Sequence, residues 1–189
     1  MAARVAGARC GSSRLRTVCL HGPESTGKTT SARELATHFD TVAVPEFGRL
    51  YCEIFGNDCD VEDLRAIRRG HDLLATAGRR RARAMLVLDT DAVMTAIWAD
   101  VLIGTRPPDL DRIDDPADLY LLCDIDVPFA ADSIRYFPDP ATRAKMFAQC
   151  RAELETRKLA FVTIRGSRDQ RLAEAIKAIT EHFPELSAA

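Results

Sequence analysis

The residues from Gly22 to Thr30, Gly-Pro-Glu-Ser-Thr-Gly-Lys-Thr-Thr, carry the densest chemistry in the chain. They fit G-x-x-x-x-G-K-S/T without a gap, the pattern of a loop that wraps a nucleoside triphosphate. Gly22 and Gly27 allow backbone angles and close approaches that a Cβ would block, so successive N–H groups can turn toward phosphate oxygens. Lys28 supplies a point charge for the β- and γ-phosphates, and the Thr29 hydroxyl is a ligand for Mg²⁺. Glu24, Ser25, Thr26 and Thr30 complete the loop that is expected to hold ATP. A helix starting here adds its positive N-terminal end. A glycine turn that binds nothing could match the same string, so the flanks decide. Thr17-Val18-Cys19-Leu20 ahead of the loop is a short β-rich apolar run, and Ala32, Leu35, Ala36 and Phe39 after it recur at helical spacing. Strand before and helix after is the context a phosphate-binding loop requires.

Two acidic segments follow strand-like runs, where an open parallel sheet places its ligand crevice. Glu46-Phe47-Gly48-Arg49 comes directly after Thr41-Val42-Ala43-Val44 and Pro45, which makes Glu46 and Arg49 candidates for contact with a substrate, although both also suit a solvated loop. Asp89-Thr90-Asp91 ends the continuous apolar run Met85-Leu86-Val87-Leu88 and has the form of a Walker B segment. A carboxylate at that strand tip can hold Mg²⁺, which suits Asp89. Asp91 is explained as the cap of the helix predicted from Ala92 to about Leu102, which leaves Asp89 for the metal. Trp98, the only tryptophan, lies on that helix. Arg135 and Arg143 flank the start of a later helix, where an arginine can fold over phosphates.

The elements that must position these groups alternate along the chain. A helix from Asp60 to about Ala77 has Leu64, Ile67, His71 and Leu74 on one face, where His71 reads as a packing residue. The run Arg79-Arg80-Arg81-Ala82-Arg83 reads as that helix's solvated tail. A polar, proline-rich connection leads from Gly104 to Asp118. The fourth strand is Leu119-Tyr120-Leu121-Leu122-Cys123, and a lid is expected at about 128–145. Asp139 and Pro140 start a further helix. A fifth strand at Ala160-Phe161-Val162-Thr163-Ile164 precedes a last helix from about Asp169 to His182. Five strands alternating with helices require right-handed crossovers, so the expected fold is a P-loop α/β/α sandwich around a five-stranded parallel sheet. Residues 1–16 read as a flexible tail ahead of one domain at 17–189.

Composition narrows the function. With 47% hydrophobic and 29% charged residues and a net charge of −2, the chain has no broad electrostatic drive toward nucleic acid. The six cysteines are scattered without zinc-ligand spacing, which points to a reducing, cytoplasmic setting. No apolar segment approaches the length of a membrane span. The expected partner is a small molecule, and the oligomeric state is left open.

Taken together, the chain resembles the nicotinamide riboside kinase domain of the bacterial NadR type, a branch of the P-loop ATPases related to nucleoside kinases. The resemblance runs from about Val18 to the last helix. It rests on Gly22–Thr29, on Glu46–Arg49, on Asp89–Asp91 and on Asp132-Ser133-Ile134-Arg135, in that order and spacing. It implies ATP-dependent phosphorylation of a ribosyl 5′-hydroxyl, giving nicotinamide mononucleotide from nicotinamide riboside. By position, the loop and Lys28 hold ATP, and Thr29 and Asp89 hold Mg²⁺. Glu46 or Asp91 handles the acceptor hydroxyl, with Glu46 preferred, and Arg135 steadies the transferring phosphoryl group. A cationic pyridinium would want an aromatic face, for which Tyr51, Phe55, Trp98 and Tyr136 are available. The family lid, Asp-Asp-Gly-x-Arg, is altered here to Ala131, Asp132, Ser133, Ile134 and Arg135. The sixteen or so residues ahead of the first strand are too few for the adenylyltransferase domain of bifunctional relatives, so that activity is not expected. The alternatives are a kinase for another nucleoside and a regulatory ATPase acting on a protein partner.

Overall fold

The computed structural model describes residues 14–130 and 137–187. Each apolar run forms a strand: β1 (Arg16–His21), β2 (Val42–Val44), β3 (Met85–Asp89), β4 (Leu119–Cys123) and β5 (Phe161–Ile164). All are parallel, in the order β2-β3-β1-β4-β5. β3 and β4 are buried at every residue, which is why their sequences are continuous rather than alternating apolar runs. After β1 the chain builds to one side through β2 and β3, then crosses to β4 and β5 on the other. The crevice therefore opens at the C-terminal ends of the central strands.

The helices are α1 (Lys28–His38), α2 (Phe47–Phe55), α3 (Val61–Arg79), α4 (Ala92–Leu102), α5 (Pro108–Asp111), α6 (Pro140–Thr156) and α7 (Arg168–His182). Alternate strand residues feed two cores. Val18, Leu20, Val87, Leu119 and Leu121 pack with Leu35 of α1 and Ile179 of α7. Cys19, Leu86, Leu88, Tyr120 and Leu122 pack on the opposite face with Ile97 of α4 and Leu154 of α6. A third cluster, Leu64, Ile67, Ala99 and Leu110, joins α3, α4 and α5 beyond the sheet. This is the expected three-layer sandwich.

Helix starts follow their capping residues. Asp60 and Asp63 form a reciprocal capping box on α3, Asp139 accepts from the Thr142 N–H on α6, and Ser167 pairs with Gln170 on α7. Two helices were not anticipated. Glu46–Arg49, expected in a loop, instead begins α2, which buries no residue of its own and is held by tertiary contacts. The Phe47 ring lies so close on Gly70 of α3 that a Cβ there would meet it at 2.1 Å. The Tyr51 hydroxyl also donates to Asp63 at 2.6 Å. The proline-rich connection contains α5, anchored by Arg106, which pairs with Asp100, Asp111 and Glu153. Among the described residues, no helix is long and apolar enough to cross a membrane.

Candidate active site

The ends of β1 and β3, the start of α1 and the facing sides of α2, α3 and α4 enclose a cleft of about 190 Å³. Gly22 to Thr30 form one wall, apart from Pro23. Gly22 has φ 123°, and a Cβ on it would meet the Cys123 carbonyl oxygen at 2.8 Å, so the loop passes β4 at a distance only glycine permits. Gly27 and Ser25 are also left-handed, with φ 84° and 57°. Lys28 Nζ donates to the carbonyls of Gly22 (2.9 Å) and Pro23 (2.8 Å), and Thr26 Oγ1 donates to Pro23 as well.

Behind the loop stands Arg171, only 3% exposed. It donates to the carbonyls of Thr26 (3.0 Å), Asp124 (2.9 Å) and Gly166 (2.9 Å) and pairs with Asp126. One guanidinium thus ties the phosphate loop to the ends of β4 and β5. Sequence reasoning passed over Arg171 because nothing within a few residues of it marks the role.

On the metal side, Asp89 is 3% exposed and its Oδ1 is buried without a hydrogen-bond partner among the described residues. Burial raises its pKa, Lys28 acts against that, and a hydrogen bond from the Thr29 side chain also favours the carboxylate. An orphaned carboxylate oxygen beside a loop hydroxyl fits Mg²⁺, which prefers one or two protein oxygens with waters and phosphate oxygens. Among the described residues, no group of three or more His, Cys, Asp or Glu side chains forms an all-protein cage.

Across the cleft, Glu46 is the N-cap of α2 but makes no side-chain capping bond, so its carboxylate is not spent on the helix. Burial pushes its pKa up to about 7, with Lys28 opposing and Asp89 reinforcing the rise. Arg49 also lines the cleft and pairs with Glu53 at 3.0 Å. Trp98 forms part of the far wall with Leu64, Ile67, Met94 and Leu102, and its ring stacks on Phe137 at 6.0 Å. Cys52 and Cys59 line the same wall with sulfurs 3.7 Å apart, a proximity their spacing did not suggest.

Two expected residues are not brought into this arrangement, and a third lies outside the described residues. Asp91 does not line the cleft. Its Oδ1 accepts from the Val93 N–H (3.0 Å) as the cap of α4, and its Oδ2 accepts from the Tyr120 hydroxyl (2.6 Å), so both oxygens are engaged. Arg143 is buried against the Val127 carbonyl and the Phe129 ring and does not line the cleft. Arg135 lies outside the described residues, as do Ala131, Asp132, Ser133 and Ile134. The lid's described flank touches the loop directly, the Ala130 N–H donating to Ser25 Oγ at 2.7 Å.

Known proteins share this fold. The chain is 27% identical over 179 residues to the trifunctional NAD biosynthesis/regulator protein NadR of Escherichia coli (strain K12), a match covering 90% of this chain and 43% of that protein. It therefore spans less than half the length of this curated relative. Crystal structures of NadR protein, one in complex with NR and one with NAD and AMP-PNP, share the fold at TM-scores of 0.68 and 0.71. Sequence identities are 23% and 22%, and each match covers 89% of this chain, against 51% and 49% of those chains. A thymidylate kinase from Candida albicans has the same fold at TM-score 0.64 and 14% identity, over 89% of this chain and 92% of that one. The nucleoside-kinase-like P-loop fold expected from the sequence is the fold observed. A family model described as an AAA domain matches residues 17–171, from the first strand to the arginine behind the phosphate loop, and the chain belongs to that family.

Proposed function

We propose that the chain is an ATP- and Mg²⁺-dependent kinase that phosphorylates the 5′-hydroxyl of a riboside, converting nicotinamide riboside to nicotinamide mononucleotide. The observation that carries this reading is the Glu46 carboxyl. It faces the same cleft as Lys28 and feels the charge of Asp89, and its pKa of about 7 suits a general base at neutral pH. A carboxylate there can take a proton from an acceptor hydroxyl or from water, so the acceptor panel below decides between transfer and hydrolysis.

Phosphoryl transfer is mostly positioning and charge stabilisation. The loop N–H groups and Lys28 bind and orient the triphosphate. Thr29 and Asp89 would hold Mg²⁺, which when bound neutralises charge on the β- and γ-oxygens. Glu46 takes the proton from the attacking hydroxyl, the apolar wall around Trp98 excludes water behind the acceptor, and Arg135 steadies the transferring group. The likeness to NadR, one of whose structures contains NR, supports this choice of acceptor.

The test is incubation with ATP, Mg²⁺ and a panel of ribosides, following ADP and the riboside monophosphate. Nicotinamide riboside is expected to give stoichiometric ADP and monophosphate. Turnover of another nucleoside without it would overturn the acceptor assignment, and acceptor-independent hydrolysis would overturn the kinase reading.

A further inference from the structure

The acceptor side of the cleft contains a polar side chain that the phosphotransfer scheme does not use. His71 sits on the apolar face of α3, 8% exposed. Its Nδ1 lies 3.4 Å from Thr95 Oγ1 on α4, while its Nε2 is buried with no hydrogen-bond partner among the described residues. The ring is part of the wall that also carries Ile67, Thr95 and Trp98.

A packing role does not account for this arrangement. A leucine would fill such a position without an unpaired nitrogen, and a buried polar atom left without a partner carries a desolvation cost that native proteins rarely leave unanswered. His71 lines the substrate-sized cleft and also borders a neighbouring groove with Arg68, Asp72 and Asp91, and a group seated in the cleft is the partner argued for below. Burial, with the Arg68 charge adding to it, holds the His71 pKa down to about 4. The ring is therefore neutral at neutral pH, with one nitrogen donating and the other accepting. A neutral ring does not repel a cationic base, and it offers no charge to an acceptor that already carries phosphate.

We infer that Nε2 of His71 binds an uncharged hydrogen-bonding group, an amide or a hydroxyl, on the acceptor, which makes His71 a specificity-determining residue of the acceptor half-site. The inference rests on the kinase reading and deepens it by naming a residue that would select among acceptors of that site. A site built to hydrogen-bond such a group rejects analogues that lack it, because its own polar atom is then left unpaired.

Trp98 is the only tryptophan and lines the same cleft, so its fluorescence reports acceptor binding without turnover. Dissociation constants are measured for nicotinamide riboside and for analogues lacking the carboxamide, the 2′-hydroxyl or the 3′-hydroxyl, with wild type and with His71→Leu, His71→Gln and His71→Asn. Wild type is expected to lose about tenfold in affinity when the recognised group is removed. His71→Leu is expected to bind the parent about tenfold more weakly and to show no further loss with that one analogue. The amide of Gln reaches the position of Nε2 and should restore discrimination, whereas that of Asn reaches only the position of Nδ1 and should not. ATP affinity should stay unchanged in all three. Losses that add for every analogue, or rescue by Asn and not Gln, would show that the ring serves only Thr95 and would overturn the assignment alone. Absence of any riboside-induced change in wild type would overturn the kinase reading and this assignment with it.

Discussion

Replacing Glu46 with glutamine keeps the side chain's shape and removes its titrating proton, with opposite effects on catalysis and stability. The folded protein holds this carboxyl at about 7 against an ordinary value of 4.5, so it binds the proton more tightly than the unfolded chain does. Below about pH 4.5 both states are protonated and the group is neutral to stability. As pH rises from there the unfolded chain ionises first, and native stability falls until about pH 7, where the full penalty is reached. The difference between the two values corresponds to roughly 3 kcal/mol, which solvent entering the cleft reduces to about 1–2 kcal/mol. Glu46→Gln should therefore melt about 3–6 °C above wild type near pH 8 and lose most of that advantage near pH 4.5. Turnover should fall by about 10²–10⁴-fold, with ATP binding intact. Wild-type kcat/KM should climb about tenfold per pH unit toward about 7 and then level, while the variant's profile stays flat over that range. Thermal melts at the two pH values and steady-state kinetics across the range measure all of this. Unchanged turnover, or a wild-type profile flat through pH 7, would refute the base assignment. Equal melting near pH 8 would refute the argument from burial.

Three further substitutions probe the frame around this group. Asp91→Ala removes the α4 cap and strands the Tyr120 hydroxyl, so urea unfolding should show a loss of about 2–4 kcal/mol. The folded fraction should turn over within about threefold of wild type, and a collapse in turnover at unchanged stability would return the base role to Asp91. Gly22→Ala places a Cβ 2.8 Å from a β4 carbonyl at a φ that alanine avoids, which should cost about 2–4 kcal/mol of stability and at least tenfold in ATP affinity. Arg171→Met leaves three carbonyls and Asp126 without their shared donor and should raise the KM for ATP more than that for the acceptor. Arg171→Lys should fall between the two, since a lysine keeps the charge but not the planar fork.

What could be read from the sequence was the chemistry that adjacent residues encode among themselves. The phosphate loop is legible because its donors are consecutive N–H groups with a lysine and a threonine beside them, and glycines mark where the backbone must turn. β3 and β4 are legible because strands buried on both faces must be apolar at every position, and the starts of α3 and α6 because Asp60 and Asp139 cap within three residues. These features set the fold class and the place of the phosphate loop.

Only the tertiary structure decided the roles that depend on what a side chain meets across elements. Asp89 and Asp91 are two residues apart, yet one keeps a buried oxygen without a hydrogen-bond partner among the described residues while the other is consumed by a helix cap and a tyrosine from β4. Glu46 has its pKa raised to about 7 because folding desolvates it and brings Asp89 near, with Lys28 opposing the rise. Arg171 reaches the phosphate loop across 145 positions of sequence. His71 reads in the sequence as one more residue of an apolar helix face, and its unpaired nitrogen exists only once α3 and α4 close around it. A local pattern specifies which backbone conformation is cheap. Whether a carboxylate, a guanidinium or an imidazole performs chemistry depends on desolvation and partners, and those are set by the packing of distant segments.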